Sequence, residues 1–92
     1  MKNKNLLITG AATRVGKAIA LHFAERGWNI ALHYFHSSSK AKELKKIIEQ
    51  NWVKVALIKA DLKNPEQVEK IIPLAKKKLG VIDCLINNAA LF

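Results

Sequence analysis

The sequence predicts an α/β domain built as the N-terminal half of a doubly wound parallel sheet. Three observations predict it. Four short apolar runs alternate with three amphipathic stretches, in the order β-α-β-α-β-α-β. A glycine-bearing turn joins the first strand to the first helix, where such sheets bind ligands. No repeat, linker or low-complexity segment interrupts the 92 residues, a length that fits one domain. Right-handed crossovers then set the strand order 3-2-1-4.

Each element has its own signal. Leu6-Leu7-Ile8 is a buried-type run ending at Thr9-Gly10. From Val15 to Arg26 the apolar positions Val15, Ala18, Ile19 and Phe23 follow helical spacing, and Gly27 punctuates the end. Trp28 to Tyr34 is the second strand. Ser37-Ser38-Ser39 supplies capping residues for a helix whose stripe is Ala41, Leu44, Ile47 and Ile48. Trp52 to Ile58 is the third strand. Asn64-Pro65-Glu66 reads as an N-cap followed by proline at the first helical position. Val68, Ile71, Ile72, Ala75 and Leu79 mark that helix's apolar face, and Pro73 inside it predicts a kink or an early break. Val81 to Ile86 is the fourth strand. A run this apolar left as an open sheet edge invites association. The sequence therefore reads as the front of a larger protein, cut just after its fourth strand.

Composition narrows the function classes. Half the residues are hydrophobic and 25% are charged, which suits a globular chain. Sixteen Lys and Arg against 7 Asp and Glu give a net charge of +9. That excess fits either a phosphate-bearing partner or a solvated basic surface. The single cysteine, Cys84, excludes an intrachain disulfide and a multi-cysteine zinc site. Three scattered histidines make no metal constellation. No apolar run approaches the roughly 18 residues of a membrane-spanning helix. The opening MKNKNLLITG is too short in apolar residues for a secretion signal. A cytoplasmic location is the expectation.

The segment that carries chemistry is Thr9-Gly10-Ala11-Ala12-Thr13-Arg14-Val15-Gly16. Gly10 permits a tight turn and Gly16 lets the helix approach the strand. The helix N-terminus then offers free N–H groups to a phosphate. An ordinary strand–helix loop has the same punctuation. A Walker A loop fits poorly: five residues separate Gly10 from Gly16, and Ala18 stands where a magnesium-binding hydroxyl belongs.

With Asp61-Leu62 after strand three and Asn87-Asn88-Ala89-Ala90 after strand four, the chain resembles the N-terminal part of a short-chain dehydrogenase/reductase. Within that family it is most similar to the pteridine reductase branch. Arg14 in place of a motif glycine, the pair His33-Tyr34, and the run Asn88-Ala89-Ala90-Leu91-Phe92 carry the likeness. The resemblance covers essentially the whole chain and implies a partial NADP-binding Rossmann domain over residues 1–92. It implies that Gly10, Arg14, Val15 and Gly16 line the cofactor pyrophosphate, with Arg14 also reaching toward substrate. Asp61 and the Leu62 backbone would receive the adenine. Asn88 and Ala89 would border the ribose and nicotinamide, and Phe92 would stack on a pterin ring. Asp61 also reads as a plain turn carboxylate, and Arg14 as a solvent-facing first-turn residue.

Cofactor choice follows from charge. An NAD site places an acid near the end of strand two to hold the ribose 2′-hydroxyl. Here His33-Tyr34-Phe35-His36-Ser37-Ser38-Ser39-Lys40 contains none. His36, Ser37 and Lys40, with Arg14, suit a 2′-phosphate, so NADP(H) is expected, and the resemblance counts His33 and Tyr34 among the cofactor-binding residues. The family's Tyr-x-x-x-Lys pair is absent: the only tyrosine is Tyr34, and Ser38 follows at the lysine spacing. Three readings follow. The first is the cofactor-binding segment of an NADPH-dependent pterin or folate reductase, inactive alone, whose full-length relatives form homo-oligomers. The second is a stand-alone NADP(H)-binding module. The third is a basic nucleic-acid binder, against which the lack of interleaved aromatics speaks.

Overall fold

A computed structural model describes residues 3–12 and 14–89. The elements are β1 (Asn5–Thr9), α1 (Arg14–Ala24), β2 (Asn29–Tyr34), α2 (Ser38–Glu49), β3 (Val55–Lys59), α3 (Pro65–Leu79) and β4 (Cys84–Asn87). All pairings are parallel, in the order β3-β2-β1-β4. The predicted architecture and strand order are both present.

Strand periodicity builds two cores. Alternate side chains point to opposite faces of a strand. Leu6, Ile8, Ile30 and Leu32 therefore meet Ala20 and Ala24 of α1 and Leu44 and Ile48 of α2. Leu7, Ala31 and Ile58 face the other way, onto Ile71 and Ala75 of α3. Helices thus cover both faces. Central β1 is buried along its whole length, as a strand covered twice must be.

Several boundaries differ from expectation, each for a local reason. Trp52 is not in a strand. Its backbone is left-handed (φ 61°) and its side chain is 95% exposed. Gln50, Asn51 and Trp52 donate back to the carbonyls of Ile47, Ile48 and Glu49, so the end of α2 consumes them. Val81 and Ile82 form the connection before β4 rather than its start. Pro73 neither kinks the chain into a break nor ends α3, which runs unbroken from Pro65 to Leu79. Pro73 and the residue one turn before it, Glu69, are both exposed, which leaves the freed carbonyl on the solvent side of the helix. Ser37 occupies the N-cap of α2 without a side-chain cap bond. Asn64 does cap α3, accepting from the N–H groups of Glu66 and Gln67 at 3.0 and 3.4 Å.

An asparagine relay at the N-terminal end of the sheet is legible only in three dimensions. Asn5 Nδ2 donates to the carbonyls of Leu79 (3.1 Å) and Val81 (2.8 Å). Asn29 Nδ2 donates to Asn5 Oδ1 at 2.9 Å, and Lys54 N–H donates to Asn29 Oδ1 at 2.8 Å. Asp83 Oδ2 accepts from the Asn5 N–H at 2.8 Å, tying β4 to β1. These bonds hold the end opposite the site.

Candidate functional site

The site lies at the carboxyl ends of the strands, where open α/β sheets bind ligands. It starts with Gly10, whose φ of +63° turns the chain sharply after β1. A Cβ there would meet Ala89 Cα at 2.9 Å, so β1 and the end of β4 touch backbone to backbone. Thr9 Oγ1 accepts from the N–H groups of Asn88 (3.0 Å) and Ala89 (3.2 Å). Asn88 Nδ2 donates to the Gly10 carbonyl at 3.1 Å. The side chain of Asn88 is therefore committed to the loop, and its backbone and Ala89 stand beside the turn.

Gly16 brings α1 onto this turn. A Cβ at Gly16 would stand 2.5 Å from the Gly10 carbonyl oxygen and 2.8 Å from Ala11 Cα. Arg14, Val15 and Gly16 are the first helical residues, whose N–H groups have no acceptor inside the helix. Arg14 opens α1 with a left-handed φ of 35°, a strain of about 1 kcal/mol for a residue with a side chain. Val15 is 62% exposed, so its side chain takes no part in the core.

A cavity of about 430 Å³ opens between the first turns of α1 and α2. Ala12, Arg14, Lys17, Lys40, Glu43 and Leu44 line it, with Ile47. Three cations face one carboxylate, a lining suited to an anion. Sequence reasoning missed Lys17 and Glu43. Their signal was helical spacing, since Lys17 follows Arg14 by three and Glu43 follows Lys40 by three.

The remaining expected residues spread along the strand ends. Ser37 is half-buried and its carbonyl accepts from the Ala41 N–H at 2.9 Å. His36 is exposed, its ring 4.1 Å from that of Phe35. The Tyr34 carbonyl accepts from the Ala60 N–H at 3.0 Å. Asp61 Oδ1 accepts from the Lys63 N–H at 2.9 Å, the turn role read as its alternative, while Leu62 is half-buried beside it. Phe92 lies outside the described residues.

His33 differs most from its expected role. It is 2% exposed and lies beneath the loop. Its Nδ1 accepts from the Gly10 N–H at 3.1 Å and its Nε2 bonds the Ala60 carbonyl at 2.8 Å. Both ring nitrogens are spent on backbone, so neither is left to touch a cofactor. Burial pushes its pKa below the usual 6.5, partly offset by the bond to the Ala60 carbonyl. Tyr34, Lys59, Asp61 and Arg14 are the other ionisable residues on the adjoining segments. Because the folded protein favours the neutral ring, this stability is complete above pH 6.5 and is lost as pH falls toward the depressed value. Urea unfolding at pH 7.5 and 5.5 is expected to show the loss, and His33→Asn is expected to flatten that part of the slope.

Comparison with known proteins places this geometry among relatives. The profile of the short chain dehydrogenase family matches residues 4–92. The 3-oxoacyl-[acyl-carrier-protein] reductase FabG of Staphylococcus epidermidis is 35% identical over 89 residues, covering 97% of this chain and 36% of that protein. General stress protein 39 of Bacillus subtilis is 37% identical over 89 residues, covering 97% of the chain and 31% of that protein. The chain thus spans about a third of the length of these curated relatives. Among solved structures, FolM alternative dihydrofolate reductase 1 from Brucella canis, complexed with NADP, superposes with a TM-score of 0.90. It is 32% identical, over 98% of this chain and 36% of that one. Among the described residues, no helix is long and apolar enough to cross a membrane.

Proposed function

The chain belongs to the short chain dehydrogenase family, and from that premise we propose that these residues form the NADP(H)-binding segment of a cytoplasmic oxidoreductase. The observation that carries the reading is the cavity between α1 and α2 in which Arg14, Lys17 and Lys40 outnumber the one carboxylate, Glu43. A bound nicotinamide dinucleotide supplies a hydride donor or acceptor. The cradle fits its phosphates: Gly10 and Gly16 leave no room for a Cβ, and free helix N–H groups stand at the turn. Gly10, Arg14, Val15 and Gly16 hold the pyrophosphate. Lys40, Arg14 and Lys17 hold the 2′-phosphate, with His36 and Ser37 at its rim. Asp61 keeps one oxygen for the adenine, and Leu62 packs beside that base. Asn88 and Ala89 border the nicotinamide ribose. Tyr34 contributes through its backbone.

The substrate we propose is a reduced pterin or folate. Arg14 and the pair His33-Tyr34 support it, as does the likeness to a dihydrofolate reductase crystallised with NADP. A 3-oxoacyl thioester is the second reading, supported by the FabG relative. These 92 residues carry no Tyr-x-x-x-Lys pair, so they bind cofactor without turning over substrate. NADPH oxidation on adding dihydropteridine to this chain alone overturns that reading.

Cofactor preference is directly measurable. NADP⁺ is expected to bind at least tenfold more tightly than NAD⁺, since one charge-assisted phosphate contact is worth about 1.5–3 kcal/mol. Lys40→Glu is expected to weaken NADP⁺ binding by about tenfold or more while leaving NAD⁺ nearly unchanged. Equal dissociation constants for the two dinucleotides on the parent chain overturn the NADP assignment.

A further inference from the structure

We propose that His33 is a positioning residue: its ring, held as the Nε2–H tautomer, sets the Gly10 turn on which the dinucleotide rests. The inference rests on the dinucleotide reading above, and goes beyond it by assigning a role to a residue that cannot touch the cofactor.

The donor and acceptor arithmetic fixes the ring. The Gly10 N–H only donates, so Nδ1, 3.1 Å away, must be an unprotonated acceptor. The Ala60 carbonyl only accepts, so Nε2, 2.8 Å away, must carry the hydrogen. One neutral tautomer satisfies both bonds. The alternative tautomer would oppose two donors at Gly10 and two acceptors at Ala60. A protonated ring would still oppose donors at Gly10.

The geometry makes this bond control the loop. Two consecutive loop amides end on the same residue: Gly10 on the His33 ring, and Ala11 on the His33 carbonyl at 3.1 Å. At its other edge the ring grips Ala60, whose N–H is already fixed on the Tyr34 carbonyl at 3.0 Å. A single buried side chain thus sets the phosphate turn of β1 against the ends of β2 and β3. An apolar residue in its place leaves the buried Ala60 carbonyl and the part-buried Gly10 N–H without their partner together.

Two conservative variants separate positioning from bulk packing. Asparagine can place Oδ1 near the position of Nδ1 and keep the Gly10 bond. Glutamine can place its amide nitrogen near the position of Nε2 and keep only the Ala60 bond. Each variant loses one hydrogen bond, so a merely structural role weakens both alike. We expect His33→Asn to bind NADP⁺ within about threefold of the parent, and His33→Gln and His33→Leu to lose about tenfold or more. Ring ¹⁵N shifts in the parent are expected to report the Nε2–H tautomer, and Gly10 amide exchange is expected to accelerate in Gln but not Asn. Equal weakening of Asn and Gln, or an Nδ1–H ring, overturns the proposal. If the parent binds neither dinucleotide, the functional reading fails by itself. The ring shifts and Gly10 exchange then still decide whether His33 sets the turn.

Discussion

Gly16→Ala is expected to destabilise the protein by about 1–2 kcal/mol and to abolish tight cofactor binding, although Gly16 lies in a helix. Two effects oppose each other. Alanine is the better helix former by about 1 kcal/mol. Against this, the new Cβ would stand 2.5 Å from the Gly10 carbonyl oxygen, and 2.8 Å from both Ala11 Cα and Asn88 Nδ2. Two of these neighbours are backbone, and the third is held by its bond to Gly10. None yields cheaply, and overpacking of this kind costs about 1–3 kcal/mol, occasionally more. The clash wins, and α1 must lift from the turn, carrying its phosphate-facing N–H groups with it. Urea unfolding and NADP⁺ titration of the same variant check both halves. A Gly16→Ala protein more stable than its parent would show that helix propensity governs and that the close approach is not there.

Thr9→Val is expected to cost about 2–4 kcal/mol, because it is nearly isosteric yet removes the acceptor for two backbone N–H groups. Thr9 is buried and the two N–H groups are part-buried, so solvent makes up little of the lost oxygen. Thr9→Ser keeps the oxygen, and its deficit should be no more than about 1 kcal/mol, the worth of one methyl group. The informative quantity is the gap between the two variants in denaturation midpoint. Equal midpoints would mean that Oγ1 does not tie the end of β4 to β1. Hydrogen exchange at the Asn88 and Ala89 amides should rise in the valine variant alone.

The fold was legible because periodicity and punctuation agree along the chain. Apolar runs of strand length, helical stripes and the Asn64-Pro65 start each point to the element that forms. Legibility failed where tertiary bonds override local pattern. Trp52 and Val81 read as strand by composition, but helix-end carbonyls claim the backbone of one and Asn5 claims the carbonyl of the other. The loop glycines could be read from one dimension, since a tight turn and a close approach demand them. The burial of His33 could not, because a histidine at a strand end has the same sequence signature whether it meets solvent or backbone. Lys17 was missed for a simpler reason: it is a lysine among many, and only the meeting of two helix starts singles it out.

The bond between Thr9 and Ala89 joins residues 80 positions apart. At a synthesis rate of roughly 5–20 residues per second, the first strand waits some 4–16 seconds, roughly, for the segment that locks it. Through that interval β1 has β2 on one side and an unsatisfied edge on the other. The nascent chain is thus most vulnerable to aggregation along the strand that becomes its most protected. The cradle for phosphates closes only once its clasp, 80 positions after its floor, has been translated.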